Sequence, residues 1–453
     1  MKHRIRVLAA AAVVAIVTAT QAFSQSSSEH RSGPPPEEPT QVAPAAPAAP
    51  AAPAAPAAPA APPAPASPAG EVRTGLDVFL SHPPSVVIGK RIGLITNPSG
   101  VDRSLHSNVD LLSARRDMRL VALFGPEHGV RGEASTRLSN TIDPRTKLPV
   151  YSLYGKTYGP TPEMLNGVDV LVFDIQDTGA RFYTFISTLG FSMQAAAERG
   201  IPFVVLDRPN PLGGELVAGP VLDPKWKSFM GMYPLPILHG MTLGELARLF
   251  NQEYGIGANL TVVPMEGWRR SMWFDETGLP WVMPSPGIPH FNTALLYPAM
   301  GPIGDTNLSV GVLTTKPFEF VGQTFVQPWR LREALEARRI GGVVFREAYW
   351  RGEPWREFGG PTYAGVEIRV TDRAAYRPVD LTLQILDVVR RYYPSGFRWG
   401  PLYEGTPLFD YDMGTDLVRK LLNAGKSPEE IEKSWEPELH FFRTVRAKYL
   451  LYP

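Results

Sequence analysis

Val170-Leu171-Val172-Phe173-Asp174-Ile175-Gln176-Asp177-Thr178-Gly179 decides the fold: an unbroken apolar run stops at a loop crowded with polar residues. The same unit recurs three more times. Ile92-Gly93-Leu94-Ile95 runs into Thr96-Asn97-Pro98, and residues 120–124 run into Gly125-Pro126-Glu127-His128-Gly129. Phe203-Val204-Val205-Leu206 runs into Asp207-Arg208-Pro209-Asn210-Pro211. Continuous rather than alternating apolar runs are the pattern of parallel strands buried on both faces. In an open parallel sheet the carboxyl ends of the strands share one edge, and ligands bind just outside it. Polar loops spread over more than a hundred residues are therefore expected to converge on one cleft.

Between these runs the spacing suits helices, so residues 71–264 read as a doubly wound α/β layer. Thr161-Pro162-Glu163 sets a capping threonine before a proline and predicts a helix start. Thr242-Leu243-Gly244-Glu245 is a capping box opening a helix over 243–251. Residues 182–198 read as another helix, beginning beside the Asp174/Asp177 loop. Residues 264–293 turn loop-like, with Trp268, Trp273 and Trp281, and the domain boundary is expected near 290. Beyond it, residues 311–370 look α+β. Helices follow over 381–392 and over 427–449, the last opened by Ser427-Pro428-Glu429-Glu430.

A chain of 453 residues, 44% hydrophobic and 20% charged, can bury a large core and suggests two domains. A net charge of +1 gives no electrostatic case for nucleic acid or an anionic membrane. The opening reads as a signal peptide over residues 1–24: a basic Met1-Lys2-His3-Arg4-Ile5-Arg6, a short apolar stretch, then Ala22-Phe23-Ser24. A short membrane anchor is the competing reading. Secretion or export to the periplasm is the expectation. With no cysteine anywhere, disulfides are excluded and stability must come from core packing. Residues 25–70 are Pro/Ala-rich with a three-residue repeat, the composition of an extended polyproline spacer rather than of a core.

Glu127, on a glycine-flanked loop at a strand end, is the first candidate for chemistry: a partly desolvated carboxyl there has a raised pKa and suits a general acid. Against this stands a purely structural Glu127 that caps a helix or pairs with Arg131. Asp174 and Asp177 fit glycosidic-bond chemistry, which needs a second carboxylate, and fit equally a salt-bridge cluster with Arg181. Asp207, Arg208 and Asn210 carry the same ambiguity. The eight histidines lack metal-ligand spacing, and no lipase-type serine elbow, dinucleotide fingerprint or P-loop is present, so no metal or other cofactor is expected. The three tryptophans suit either sugar stacking or core filling.

Several longer motifs together resemble one family. They are Thr96-Asn97-Pro98-Ser99-Gly100, residues 123–129, residues 172–184, residues 206–214, His239-Gly240-Met241-Thr242 and Arg446-Ala447-Lys448-Tyr449-Leu450-Leu451-Tyr452. From about residue 71 onward the chain is similar to the NamZ-type exo-β-N-acetylmuramidases of bacterial cell-wall recycling. The resemblance implies a Rossmann-like doubly wound parallel sheet over 71–290, a smaller α+β C-terminal domain over 291–453, and an active-site cleft between them. It implies release of non-reducing terminal N-acetylmuramic acid from peptidoglycan fragments without a cofactor. Glu127 is then the expected catalytic carboxyl, with His128, Asp174 and Asp177 as further catalytic candidates. The candidate substrate contacts are Asn97, Arg131, Gln176, Arg181, Tyr183, Asp207, Arg208, Asn210, His239, Asn307 and Glu319. One stretch departs from the family pattern. Gly304, Val310 and Val312 stand where two carboxylates and an arginine are usual, and Asp305 sits beside the first gap.

Overall fold

Each of the four apolar runs is a strand. In the computed structural model, which describes residues 71–132, 139–351, 361–403 and 405–453, they are β1 (Arg91–Thr96), β2 (Arg119–Gly125), β5 (Val170–Asp174) and β6 (Phe203–Leu206). With β3 (Thr141–Ile142), β4 (Pro149–Ser152) and β9 (Leu260–Val263) they form a seven-stranded sheet ordered β3-β4-β2-β1-β5-β6-β9. All neighbours are parallel except the edge pair β3/β4. The chain runs outward from β1 to β2 and β4, then returns to the other side of β1 with β5, so the order reverses between β1 and β5.

Burial on both faces accounts for the unbroken runs. Ile92, Leu94, Val170, Val172, Val204 and Leu206 meet α1 (Gly75–Ser81) and α2 (Asn108–Ser113) on one face. Ile95, Leu171, Phe173, Phe203 and Val205 face α3 (Phe185–Arg199) and α4 (Leu243–Glu253) on the other. This second core continues into the C-terminal elements, through Leu295 and Met300 of α5 (Phe291–Gly304) to Val321, Val366 and Leu383. The C-terminal half adds an antiparallel sheet of β10 (Phe320–Gln323), β12 (Tyr363–Val370) and β11 (Val343–Trp350), in that order. Helices α6 (Pro328–Glu336) and α7 (Pro378–Tyr392) pack there, the latter starting three residues before the sequence expectation. A short two-stranded ribbon, β7 (Ala218–Val221) and β8 (Pro236–Leu238), lies between β6 and α4 in the chain. Among the described residues no helix is long and apolar enough to cross a membrane. The expected signal peptide and Pro/Ala spacer lie outside the described residues.

Local differences from expectation have local causes. The helix expected at 182 begins at Phe185, because Phe182 and Tyr183 belong to the turn that precedes it. Thr161-Pro162 opens only a turn, cut short before Gly167 at φ 82°. Helix α5 was hidden by Pro298 and Pro302 inside it; packing of an almost wholly buried helix outweighs the lost backbone bonds. The C-terminal helix is two helices, Pro428–Lys433 and Glu436–Arg446. Pro437 lacks an N–H and crowds the preceding turn, so the chain restarts there.

The capping box of α4 is present as expected: Thr242 accepts from Glu245 N, and Glu245 accepts from Thr242 N at 3.1 Å. Thr242 also donates to Asp207 Oδ2 at 2.6 Å, and the same oxygen accepts from Tyr452 Oη at 2.5 Å. The end of β6, the start of α4 and the C-terminal tail thus meet on one buried carboxyl. Thr242→Ala is expected to lower stability by roughly 2–3 kcal/mol, removing a cap and a charge-assisted bond. Urea unfolding checks this, and a change below about 0.5 kcal/mol would contradict it.

Candidate active site

Strand β2 ends at Gly125, and the next three residues swing the chain back on itself. His128 takes φ 73° and Gly129 φ 84°; a non-glycine residue in the left-handed region is strained, and such strain persists only where the surroundings impose it. The turn sets Glu127 at the carboxyl edge of the sheet, 9% exposed. Its Oε2 accepts from Thr184 Oγ1 at 3.5 Å, and the Tyr154 hydroxyl also bonds the carboxyl. Burial pushes this carboxyl up to about 7, and the two hydroxyls offset only part of that shift. Arg131 does not pair with it. That guanidinium is held by Asp143 at 2.5 Å and Asp110 at 3.0 Å, so Glu127 has no cation beside it from that source.

Tyr183 and Tyr297 border the same space. Their rings meet edge to face at 5.6 Å, with Phe182 and Phe318 closing against Tyr297 at 5.2 and 4.9 Å. The Tyr183 hydroxyl is buried, with Ser285 as its hydrogen-bonding neighbour, in the field of Asp177 and Glu127. Asp177 Oδ2 accepts from Gly179 N at 2.8 Å, while its buried Oδ1 has no hydrogen-bond partner among the described residues. Burial raises its carboxyl to about 7 as well. Gly179 at φ 84° is required here, since a Cβ would stand 2.4 Å from Asn210 Oδ1.

The structure separates the other candidates by what already occupies them. Asp174 is not beside Arg181; it forms a buried two-point ion pair with Arg208, at 2.6 and 3.0 Å, and accepts from Asn108 at 2.8 Å. Arg208 also donates to Val101 O. Arg181, 1% exposed, spends its guanidinium on the main-chain oxygens of Pro220, Leu235 and Asp412. Burial draws it down to about 10, still charged at neutral pH. Asp207 is the hub under α4 described above. Asn97 bonds Pro284 O and Ser99, Gln176 bonds the carbonyls of Asp177 and Pro209, and Asn210 bonds Met241 O and Leu212 N. Asn307 ties Gly396 to Arg398. These groups shape the loops that carry the site, and their polar atoms are engaged by protein.

His239 is fully buried among Arg446, Arg181 and Arg270, and burial holds its pKa near about 3. Its Nδ1 accepts from Met241 N at 3.1 Å, which puts the ring proton of the neutral imidazole on Nε2. Glu319 is bonded by Thr293 at 3.2 Å and raised by burial. Trp268 and Trp281 are packing residues, against Tyr452 at 5.1 Å and Phe274 at 4.8 Å, and Trp273 lies under the Arg373 guanidinium. A small, shallow hollow opens over the ends of β1, β5 and β6, lined by Thr74, Ser99, Asp102, Gln176 and Arg208. Two of its polar groups are engaged within the protein, Arg208 with Asp174 and Asp102 with His106.

Sequence reasoning missed Tyr154, Ser285, Tyr297 and Asp412. Tyr154 follows β4, the parallel neighbour of β2, so sheet adjacency alone could have placed it near Glu127. Tyr297 was masked by the prolines of α5. Nothing around Asp412 distinguishes it from a surface carboxylate. The departing stretch is internally matched: a Cβ on Gly304 would meet Val310 Cγ2 at 3.0 Å, and Val310 is buried.

Residues 92–292 match the family model for the N-terminal part of the exo-β-N-acetylmuramidase NamZ, and residues 295–452 match that for its C-terminal part. The chain is 48% identical over 384 residues to the peptidoglycan β-N-acetylmuramidase NamZ of Bacillus subtilis strain 168, covering 84% of this chain and 92% of the relative. Two crystal structures of DUF1343 family proteins from Bacteroides fragilis superpose on it. One is 38% identical with a TM-score of 0.78 and the other 29% identical with a TM-score of 0.66. Each covers 84% of this chain and 99% of its own.

A buried ion pair is expensive to break from one side. Arg208→Ala leaves Asp174 charged with 0% of its side chain exposed, and a loss of about 3–5 kcal/mol in urea unfolding is expected. A loss under about 1 kcal/mol would mean that the pair is not a structural clamp.

Proposed function

The chain belongs to the exo-β-N-acetylmuramidase NamZ family, and we propose that Glu127 is the proton donor with which it releases N-acetylmuramic acid from the non-reducing ends of peptidoglycan fragments. It is a glycosidase, as its family and its Bacillus subtilis relative establish. The observation that carries the role of Glu127 is its setting: a strand-end carboxyl, nine-tenths buried, hydrogen-bonded by the Thr184 and Tyr154 hydroxyls and held near 7. An acid so poised is substantially protonated at neutral pH, yet gives its proton up readily to a departing sugar oxygen. The tyrosine rings around it exclude water from the bond being broken and offer faces for a sugar ring. Asp177 and Tyr183 stand beside it as hydrogen-bonding groups for the substrate. The basic-then-apolar opening of the chain supports action outside the cytoplasmic membrane, where such fragments arise.

Glu127→Gln preserves shape and hydrogen bonding but removes the proton. It is expected to reduce hydrolysis of a muramyl-glucosaminyl disaccharide by at least about a hundredfold with an unchanged melting temperature. Equal rates in variant and parent would overturn the assignment. The pH dependence has a definite sign. A general acid works only while protonated, so kcat/KM should fall as pH rises through about 7, the value to which burial lifts Glu127. A rate still rising between pH 7 and pH 9 would contradict the assignment.

A further inference from the structure

Between α5 and β10 the chain makes a loop that bonds largely to itself. Thr314 N donates to Gly311 O at 3.0 Å, Lys316 N to Thr314 Oγ1 at 3.0 Å, and Phe318 N to Val310 O at 2.7 Å. Ser309 pins the loop to the C-terminal sheet, pairing with Gly322 of β10 and accepting from Trp350 Nε1 at 2.9 Å. Winding the chain so tightly takes left-handed backbone at Gly311 (φ 77°), Leu313 (φ 69°) and Phe318 (φ 61°). Glycine enters that region freely, but a residue as bulky as phenylalanine does so only under strain. Strain of this kind persists where the surroundings impose it, and it gathers at sites that bind or react.

What the strained turn positions is a ring. Phe318 meets Tyr297 of α5 edge to face at 4.9 Å, and Tyr297 meets Tyr183 in the same way at 5.6 Å. The loop that carries Ser285, the neighbour of the Tyr183 hydroxyl, also reaches it: a Cβ on Gly287 would stand 3.7 Å from Phe318 Cε2 and 3.8 Å from Ser285 Oγ. Thr184, next to Tyr183, donates to Glu127 at 3.5 Å. Phe318 therefore comes from the C-terminal half of the chain into the wall that holds the Glu127 carboxyl. Within that wall Phe182 and Tyr183 are buried, whereas Tyr297 and Phe318 stay partly exposed. Core packing alone does not account for an aromatic ring held at a backbone cost and still left partly open.

We propose that Phe318 is the platform on which the terminal N-acetylmuramic acid packs the C–H face of its ring, a substrate-positioning residue set in place by a strained loop. The proposal rests on the reading that the terminal sugar is cleaved beside Glu127. One face of a pyranose presents C–H groups that gain little from water, and an aromatic ring covers them. The same contact is made before and during bond breaking, so it acts on KM more than on kcat.

The test measures binding of N-acetylmuramic acid by calorimetry, and kcat and KM on a muramyl-glucosaminyl disaccharide. Phe318→Ala should weaken sugar binding and raise KM by at least about fivefold, the scale for losing one half-covered ring, with kcat changed less than KM. Phe318→Leu refills the space against Tyr297 but offers no flat face, and should show the same loss. Phe318→Tyr keeps the ring and should recover affinity to within about twofold of the parent. Phe318→Gly should bind as weakly as Phe318→Ala yet melt at a higher temperature, since both lack the ring and glycine takes φ 61° without strain. A smaller loss of affinity in Phe318→Ala, or a Phe318→Leu variant that binds as well as Phe318→Tyr, overturns the proposal, because the ring then only fills space. So does a Phe318→Gly variant that melts no higher than Phe318→Ala, which would remove the strain from the argument. If Phe318→Ala does not fold, the same fivefold threshold applies to Phe318→Gly. Sugar binding needs no turnover, so a fully active Glu127→Gln would overturn the donor role alone and leave the Phe318 outcome readable.

Discussion

A parallel sheet buried on both faces delivers its strand ends into protein rather than into water, and every polar group there must find a partner or remain costly. Most do. The ends of β5 and β6 are joined by the buried Asp174–Arg208 pair, and Asn108 at the start of α2 adds a further bond to it. The end of β6 is tied to α4 and to the C-terminal tail through Asp207, which accepts from Thr242, Gly244 N and Tyr452. Residues whose types suggest catalysis are in this way used as fasteners between elements far apart in the chain.

Against that background the exceptions acquire meaning. Asp177, Tyr183 and a Glu127 carboxyl bonded by the Thr184 and Tyr154 hydroxyls share one neighbourhood at the carboxyl edge, and among the described residues Asp177 Oδ1 has no partner. Desolvation lifts the Glu127 and Asp177 carboxyls together. Electrostatic strain thus gathers where the loops leave polar atoms unsatisfied, and a bound sugar with its hydroxyls and amide is the kind of ligand that relieves it.

The sheet was legible because its signal is long and redundant: four unbroken runs, each ending in turn residues, admit little besides buried parallel strands. Glu127 was legible for the same reason, since a strand-end loop flanked by glycines is a place for chemistry. The roles of Asp174, Arg181 and Arg208 were not, because charge pairing depends on which loops touch. Arg181 is close in sequence to Asp177 yet reaches Asp412, 231 residues away. Tyr297 escaped because Pro298 and Pro302 argue locally against the helix that carries it, and only burial of that helix reverses the argument. The loop departing from the family pattern looked like a loss of charge. In three dimensions Gly304 and Val310 fit against each other.

The central claim is that burial alone keeps the Glu127 carboxyl protonated near neutrality. Infrared difference spectra of parent minus Glu127→Gln, recorded across pH 3 to 9, read that carboxyl directly through its protonated carbonyl stretch. The account predicts that this band persists past pH 6 and disappears with a midpoint near about 7. A midpoint near 4.5, the ordinary glutamate value, would show a solvated carboxylate and contradict it.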